Sequence, residues 1–440
     1  MRIISQAECQ KLLDHLAARS VALDAELMKF VSSIIDDVRA RGDRALIDYA
    51  ARFDNVRLEE LRISVEQLRR YAASVDERVV RALREAIRNV RTFHERQLEE
   101  SWTMNAAPGV ELGQRITPLE RVGLYVPGGT AAYPSSVVMN VVPAQVAGVE
   151  RIVVATPPRT LSESPAVAAA LLELEVTEVY AVGGAQAVAA LAFGTETIPR
   201  VDKITGPGNK YVAAAKKLVF GVVGIDSIAG PTEVVIVADE TERPDFIAAD
   251  LLAQAEHGED ASAILITTSA SLATAVAEEV EKQLATLARR EIATASLQEY
   301  GAIVVVDNLD LACGIANEIA PEHLQIVTRD DEAVAAKIKH AGAIFFGAFT
   351  PEAVGDYLAG PNHVLPTGRT ARFSSALGVY DFVKRTSLLR YSEAAFKEVS
   401  ESVAALAEAE GLGAHARSAL IRKGSFTQRR KDAKEDAKNT

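Results

Sequence analysis

The sequence predicts an α/β protein with two successive parallel sheets and added helical segments at the N- and C-terminal ends. About nine short runs rich in Val, Ile and Ala alternate with helical patterns between residues 122 and 346, as they do in βαβ units. Runs such as 233–237 and 302–306 are apolar at nearly every position, which is typical of strands covered on both faces. Nine strands fit two sheets better than one, and the boundary is expected near 229–231. Each sheet should carry its ligands at the carboxyl ends of its strands.

We predict four segments along the chain. Apolar residues recur at helical spacing over 24–105, and a second helical pattern begins near residue 377. The strongly charged residues after Lys423 are expected to be disordered. The predicted segments are an N-terminal helical segment, 1–23; a discontinuous domain with the catalytic and metal-binding residues, 24–124 and 233–376; a nucleotide-contacting domain, 125–232; and a C-terminal helical dimerisation segment with its charged tail, 377–440.

Composition limits the classes of function. The formal net charge is −12 over 440 residues, which argues against a general affinity for nucleic acid or anionic membranes. We expect no signal peptide and no membrane span, because no apolar run has the required length. The two cysteines, Cys9 and Cys313, lie far apart and suit a reducing, cytoplasmic location. Two cysteines are too few for a cysteine-based zinc site, so any metal must use His, carboxylate or amide ligands.

Three Gly-rich turns follow predicted strands, at 126–130, 182–186 and 205–210. Each leads into a helix, so its backbone N–H groups could face an anion such as a pyrophosphate. None of them is a Gly-x-Gly-x-x-Gly motif, and such turns also occur as simple tight turns. The sequence alone therefore leaves nucleotide binding and plain turn formation both open.

Gln254 and His257 are three residues apart at the predicted end of a helix that Gly258 terminates. That spacing places an amide and an imidazole on one helix face, where they could bind a metal or merely cap the helix. Asp356 and His415 would add a carboxylate and a second imidazole. Such a set leaves coordination positions for a chelating substrate, and it would accept manganese or cobalt as well as zinc.

Glu322 and His323 are adjacent and precede a predicted strand. A neighbouring carboxylate and imidazole can serve as two separate proton-transfer groups, although a solvated Glu beside a partly buried His would have the same sequence. A loop at 359–362 separates Asp356 from His363. The remaining polar candidates are interpreted as surface residues, and the two cysteines as small residues in helices; the surface histidines are His15, His94 and His340.

These residues lie in seven motifs whose order along the chain resembles that of the histidinol dehydrogenase family. The resemblance runs nearly from end to end. The motifs are Leu-Tyr-Val-Pro-Gly-Gly at 124–129, Gly-Pro-Gly-Asn at 206–209, Ala-Gly-Pro-Thr-Glu at 229–233, Asp-Leu-Leu-Ala-Gln-Ala-Glu-His-Gly at 250–258, Ala-Pro-Glu-His-Leu at 320–324, Gly-Asp-Tyr through Asn-His-Val-Leu-Pro-Thr at 355–367, and Glu-Gly-Leu-x-x-His at 410–415.

The resemblance implies two incomplete Rossmann-like domains and a four-electron oxidation. L-histidinol would pass through L-histidinal to L-histidine, with two NAD⁺ and one Zn²⁺ per subunit of a homodimer. The implied zinc ligands are Gln254, His257, Asp356 and His415, with His415 given by the partner subunit. Glu322 and His323 are the implied bases. The implied NAD contacts are Tyr125, Gln186 and Asn209. The implied substrate contacts are Thr232, Gln254, His257, His323, Asp356, His363, Glu410 and His415. Thr232 stands where the family also has Ser, which keeps the hydroxyl.

Three alternatives are compatible with the same residues. A related zinc-dependent dehydrogenase could act on another amino alcohol or on a sulfonate-type alcohol, although His363 and Glu410 match the histidinol pattern. A metal-dependent hydrolase would use the same ligands without the nucleotide turns. A degenerate scaffold or binding protein would require losses at the named positions, and none is visible.

Overall fold

The structure is a computed structural model that describes residues 1–19, 24–128 and 133–423. The chain divides into two compact units: one contains Met1–Leu98 and Pro118–Phe382, the other Glu99–Thr117 and Val383–Thr440. The predicted disordered tail and the end of the first Gly-rich turn, Gly129–Thr130, lie outside the described residues. None of the described helices is long and apolar enough to cross a membrane.

Strands and helices alternate through most of the first unit. The strands are β1 (Arg2–Ser5), β2 (Arg62–Ile63), β3 (Trp102–Ala107), β4 (Val110–Pro118), β5 (Arg121–Tyr125), β6 (Arg151–Thr156), β7 (Glu178–Ala181), β8 (Lys203–Thr205), β9 (Gly224–Ile225), β10 (Glu233–Ala238), β11 (Ser262–Thr267), β12 (Ala302–Val305), β13 (His323–Val327), β14 (Ala343–Phe346) and β15 (Val383–Tyr391). The helices are α1 (Cys9–Arg19), α2 (Ala25–Arg41), α3 (Asp43–Phe53), α4 (Val65–Ala72), α5 (Glu77–Glu95), α6 (Pro134–Ala147), α7 (Thr160–Glu163), α8 (Pro165–Glu173), α9 (Gly184–Phe193), α10 (Lys210–Val219), α11 (Pro244–Ala255), α12 (Ala270–Leu284), α13 (Arg290–Glu299), α14 (Leu309–Ile319), α15 (Asp331–Ala335), α16 (Glu352–Tyr357), α17 (Glu393–Ala409) and α18 (Gly413–Lys423). The 3₁₀ turns within the described residues are Gln6–Glu8, Thr370–Arg372 and Val379–Asp381.

The first unit contains two six-stranded sheets. The first sheet has the order β2-β7-β6-β5-β8-β9 and is parallel except for β2. The second has the order β1-β12-β11-β10-β13-β14 and is parallel throughout. The predicted boundary at 229–231 lies in the segment that joins β9, the last strand of the first sheet, to β10 of the second. The α/β prediction with two parallel sheets is confirmed.

Strand β10 explains why its sequence is apolar without interruption. Val234 and Ile236 enter a core with helices α11, α12 and α13. Val235 and Val237 point to the opposite face, into a core with α1 and α14. Because successive side chains of a strand face opposite sides, a strand covered by helices on both faces needs apolar residues at every position.

The helices before residue 98 pack on the first sheet. Ile34 and Leu46, from α2 and α3, share a core with Tyr125 and Val153. Leu68 and Val90, from α4 and α5, share the core on the other face of that sheet. Amphipathic periodicity reveals which helix face is buried but not which sheet it covers, and the predicted domain of 24–124 joined to 233–376 stays a prediction.

The chain ends also differ locally from the helical prediction. Residues 2–5 form an edge strand paired with β12. In the second unit, β3, β4 and β15 form a three-stranded sheet. Most residues of β3 and β15 are exposed, so these strands lack the apolar pattern that identifies a buried strand. Helices α17 and α18 meet at three buried alanines, Ala404, Ala407 and Ala416.

Candidate active site

A cavity of about 210 Å³ lies where loops of the first sheet meet the amino edge of the second. Both sheets belong to the first unit. Its lining includes the polar residues Thr232, His257, Glu322, His323, Glu352, Asp356 and His363, the buried pair Lys216 and Asp226, and loop residues Gly206, Pro207 and Ser227. Thr232, Glu322 and His323 stand at the amino ends of β10 and β13. The expectation of ligands at carboxyl ends is therefore wrong for the second sheet, because its helix α11 ends, and delivers its polar residues, at the opposite edge.

Glu322 is held rigidly at the start of β13. Thr232 Oγ1 donates a hydrogen bond to Glu322 Oε2 at 2.5 Å, and the Glu233 backbone N–H donates to the same oxygen at 3.1 Å. A Cβ atom on Gly342 would lie 2.5 Å from the Glu322 carbonyl oxygen, so only glycine fits beside this turn. Burial raises the pKa of Glu322, although neighbouring His323 and the two donors oppose that effect. A buried carboxylate with a raised pKa is suited to take up a proton.

His323 lies among three carboxylates. Its Nδ1 atom is 3.1 Å from the Glu233 carbonyl oxygen, 3.7 Å from Glu322 Oε2 and 3.8 Å from Glu352 Oε1. Burial lowers the pKa of His323, but the carboxylates of Glu352, Glu322 and Asp356 outweigh burial and raise it to about 10. The Nε2 atom is buried and has no hydrogen-bond partner among the described residues. The carboxylates thus favour the imidazolium form at neutral pH, so His323 can accept a proton only when a further positive charge near the cluster offsets them.

Helices α11 and α16 supply the candidate metal donors. His257 follows the end of α11, and its buried Nδ1 atom has no hydrogen-bond partner in the described parts of the chain. Donor atoms of His257, Glu352 and Asp356 all lie within 4.8 Å of one another. An imidazole, two carboxylates and the adjacent Gln254 amide are ligand types that zinc accepts. The unpaired imidazole nitrogen shows that these residues fit a metal ion.

Glu352 is the site residue that the sequence analysis missed. It is buried, and burial raises its pKa to about 8 despite nearby His323. When the amide nitrogen of Gln254 faces Glu352, it lies 2.7 and 2.8 Å from the two carboxylate oxygens and donates to them. In the sequence, Pro351-Glu352 is typical of an ordinary helix start. The four-residue spacing to Asp356, which puts both carboxylates on one helix face, was the available signal.

Asp356 and His363 complete the carboxylate and imidazole cluster. His363 Nδ1 lies 3.0 Å from the Asp356 carbonyl oxygen and 3.9 Å from Oδ1. Burial raises the pKa of Asp356, but His323, His363 and His257 together lower it below its ordinary value. Burial lowers the pKa of His363. Asp356 is therefore ionised, and His363 tends to remain neutral, as a ligand-binding imidazole should.

The loop that carries His363 is anchored to buried His94. Asn362 Nδ2 donates to the Met139 carbonyl oxygen at 2.6 Å and lies 3.4 Å from His94 Nε2. Val364 N–H donates to Asn362 Oδ1 at 2.9 Å. His94 is fully buried, so its interpretation as a surface residue is wrong: the charged neighbours on α5 are exposed, but His94 lies on the inward face of that helix.

A larger cleft of about 950 Å³ lies at the carboxyl edge of the first sheet. The three predicted NAD contacts, Tyr125, Gln186 and Asn209, all line it. Gly184 N–H donates to the Tyr125 hydroxyl at 3.0 Å, and burial raises the pKa of Tyr125 to about 12. Asn209 caps α10 by accepting from the Tyr211 and Val212 N–H groups.

The cleft adjoins the smaller cavity. Both are lined by Tyr133, Pro207, Gly230, Thr232 and His257. A molecule as long as a dinucleotide could therefore place one end beside the substrate cavity. This continuity connects the Gly-rich turns with the proton-transfer residues.

Glu410 and His415 lie in the second unit. Glu410 is the C-cap of α17, and His415 lies in the first turn of α18; both are exposed. The cluster in the first unit is formed without them. Their roles toward substrate and metal stay predictions.

Comparison with known proteins identifies the family. Residues 17–423 match the family model described as histidinol dehydrogenase. The histidinol dehydrogenase of Geobacillus kaustophilus is 58% identical over 398 residues, which cover 90% of this chain and 94% of the relative. That of Bacillus subtilis is 56% identical, covering 89% and 92%. The crystal structure of histidinol dehydrogenase from Elizabethkingia anophelis has a TM-score of 0.90 at 35% identity, covering 96% and 98%. The chain therefore belongs to the histidinol dehydrogenase family and is an NAD-dependent oxidoreductase of histidine biosynthesis.

Proposed function

We propose that this chain oxidises L-histidinol through L-histidinal to L-histidine with two NAD⁺, and that the residues of the described cavity carry out both steps. The observation that carries the proposal is the shared wall between the two cavities. The cavity with Glu322 and His323 is lined in part by the same residues as the dinucleotide-sized cleft. Family membership supports the choice of histidinol as substrate.

Gln254, His257 and Asp356 would hold one Zn²⁺, with the partner subunit's His415 as the fourth ligand. The unpaired Nδ1 atom of His257 and the proximity of Asp356 support this assignment. When bound, zinc would orient the imidazole and amine of histidinol and, by its charge, favour neutral His323 over imidazolium. Gln254 is fixed by Glu352, which supports a positioned rather than mobile ligand.

His323 and Glu322 would divide the proton transfers. His323 accepts the hydroxyl proton while the alcohol carbon loses hydride, which gives the aldehyde. After His323 has released this proton to solvent, Glu322 takes a proton from water as the water oxygen attacks the aldehyde carbon. His323 then accepts the hydroxyl proton of the resulting hydrate anion as the second hydride leaves. NAD⁺ accepts one hydride in each oxidation, so the sum is one histidinol, one water and two NAD⁺ converted to histidine, two NADH and released protons. The unpaired Nε2 of His323 and the raised pKa of Glu322 support these roles.

The substrate contacts would include Thr232, His363 and the partner subunit's Glu410. A homodimer would cover apolar residues of the second unit. Leu389 and Leu406 are 71% and 69% exposed, and a subunit interface would bury such side chains. We also propose a cytoplasmic location, which suits the two unpaired, buried cysteines.

The test is the stoichiometry of NAD⁺ reduction with L-histidinol, before chelation, after chelation and after zinc is added back. Two NADH per histidinol, lost on chelation and restored by zinc, are expected. A zinc-loaded protein that forms no NADH would refute the substrate assignment and direct the search to other amino alcohols. One NADH per histidinol would refute the second oxidation.

A further inference from the structure

Part of the dinucleotide-sized cleft is lined by residues that do not reach the smaller cavity. They include three aromatic side chains, Phe30, Phe53 and Tyr211, and two charged ones, Asp54 and Arg159. A dinucleotide that places its nicotinamide beside the substrate cavity must extend its adenosine half into the remainder of the cleft. The chemistry of these five residues therefore bears on how the adenosine half is recognised.

The three aromatic rings form one group at the surface of the cleft. Phe30 lies 6.5 Å from Phe53 and 6.1 Å from Tyr211 between ring centroids, with edge-to-face geometry. Their exposed fractions are 39%, 44% and 38%, so part of each ring stays exposed although Tyr49 stacks on Phe53, and Arg52 and Lys210 lie over the Phe53 and Tyr211 rings. A partly exposed aromatic group inside a cleft is suited to stacking a planar base such as adenine.

Asp54 directly follows Phe53 at the end of α3. Burial raises the pKa of its carboxyl group, and Arg159 opposes that effect electrostatically. Its carboxylate oxygens accept no hydrogen bond from residues within the described ranges. Arg159 Nη2 donates to the carbonyl oxygen of adjacent Asn55 at 3.3 Å, which keeps the guanidinium near Asp54. A partly buried carboxylate that accepts no hydrogen bond from these residues can accept hydrogen bonds from the hydroxyl groups of a ribose bound beside the aromatic rings.

We infer that Asp54 accepts hydrogen bonds from the adenosine ribose hydroxyls and thereby selects NAD⁺ over NADP⁺. This inference rests on the proposed function, which makes a nicotinamide dinucleotide the oxidant. A 2′-phosphate in place of the 2′-hydroxyl removes one hydrogen-bond donor. It also places about two negative charges beside the Asp54 carboxylate. Arg159 is the cationic side chain among the described residues that line this part of the cleft, and Asp54 opposes its charge.

Binding of two fragments tests the inference without catalysis. ADP-ribose and 2′-phospho-ADP-ribose are titrated calorimetrically into the zinc-loaded protein. The natural sequence should bind ADP-ribose the more tightly. Asp54→Asn should narrow the affinity ratio by roughly tenfold or more, because it removes both the charged acceptor and the repulsion. Adding Arg159→Met to Asp54→Asn should weaken 2′-phospho-ADP-ribose again, because the freed guanidinium is lost.

Glu163→Gln is the matched control. Glu163 is an exposed carboxylate that lines the same cleft, and its neutralisation changes the net charge equally. It should leave the affinity ratio unchanged. Asp54→Ser serves as a second variant if Asp54→Asn does not fold.

The outcomes separate this inference from the proposed function. Equal affinities of the natural sequence for the two fragments, or an affinity ratio that Asp54→Asn leaves unchanged, would overturn the role of Asp54. An equal change of the ratio in Glu163→Gln would overturn it as well. If the fragments are discriminated as expected but histidinol is not oxidised, the role of Asp54 stands and the substrate assignment fails.

Discussion

Glu322 receives two hydrogen bonds on one carboxylate oxygen, from Thr232 and from the Glu233 backbone. These donors fix the orientation of the Glu322 carboxylate. Removal of the proton from the alcohol is assigned to His323 and does not require Glu322. We therefore expect Glu322→Gln to retain oxidation of histidinol to histidinal and to lose about 10²- to 10⁴-fold in the second oxidation, the usual contribution of a general base. Single-turnover NADH formation from histidinol and from histidinal measures the two steps separately.

Glu256→Gln is the control for this comparison. Glu256 caps the same helix end that carries His257, but it does not line the substrate cavity. Both half-reactions should stay near the rates of the natural sequence. If Glu322→Gln slows the two half-reactions equally, the proposed division between Glu322 and His323 is wrong.

Glu352 is positioned to orient a metal ligand rather than to react. Its two oxygens accept from Gln254 and its carboxylate lies 3.8 Å from His323. Replacing a residue that orients a ligand typically weakens metal affinity about 10- to 100-fold. Glu352→Gln should therefore release zinc to a chelator at a correspondingly lower concentration, as measured by competition with a chromophoric chelator. Unchanged zinc affinity in a folded variant would contradict the positioning role.

At the residue scale, the sequence motifs predicted the site residues themselves but not the buried residues that hold them in place. Gln254, His257, Glu322, His323, Asp356 and His363 lie in conspicuous motifs, and the structure brings them together in the first unit. Glu352 and His94 have no such motif. Their importance arises from burial by distant parts of the chain, and local sequence contains little information about such burial.

His94, which lies on α5 and contacts the loop at 361–364, should make the stability of the fold depend on pH. Burial lowers the pKa of His94 from its ordinary value of 6.5. The unfolded chain therefore binds a proton at this residue below about pH 6.5, whereas the folded protein resists it, so the stabilisation is complete above that pH and is lost as pH falls. His94→Gln should show a smaller loss of unfolding free energy between pH 7.5 and 5.5, measured with urea. Parallel pH profiles for the two proteins would contradict this assignment.

The turn after β8 depends on a glycine. Gly206 has φ of +112°, and a Cβ atom there would lie 2.1 Å from the Tyr125 carbonyl oxygen. The conformation and the clash predict that Gly206→Ala destabilises the fold by about 2 to 4 kcal/mol. Gly314→Ala is the control, because no atom lies within 4 Å of a Cβ atom there, and in the middle of α14 it should stabilise by about 0.5 to 1 kcal/mol. Thermal unfolding measures both, and equal melting temperatures would refute the steric argument.

At the element scale, the buried strands were predictable from the sequence, but which helices pack on which sheet was not. Runs such as Glu233–Ala238 are apolar because both faces are covered, and that cause acts within the strand itself. The packing of α2–α5 on the first sheet, and the use of the amino edge of the second, depend on contacts between distant segments. Exposed strands β3 and β15 were missed because they bury too little apolar surface to impose a pattern.

At the scale of the whole molecule, the proposed metal site draws on two chains. His257 belongs to the cluster in the first unit, and the homodimer hypothesis assigns the partner subunit's His415 to the same site. It also implies that replacing His415 by Asn in one subunit of a mixed dimer disables one site and leaves the other intact. Coexpression of two chains that are each inactive alone can therefore give an active mixed dimer, although each chain keeps its substitution.

The experiment combines His415→Asn with His257→Ala. Each variant alone should be inactive as a homodimer. In a mixed dimer, both lesions fall in one site and the other site is complete, so random pairing should restore about a quarter of the activity of the natural protein. If His415 acted within its own subunit, each site of the mixed dimer would contain one lesion and the mixture would stay inactive. Affinity tags of two kinds isolate the mixed dimer, and its zinc content, one ion per dimer, checks the same conclusion without catalysis.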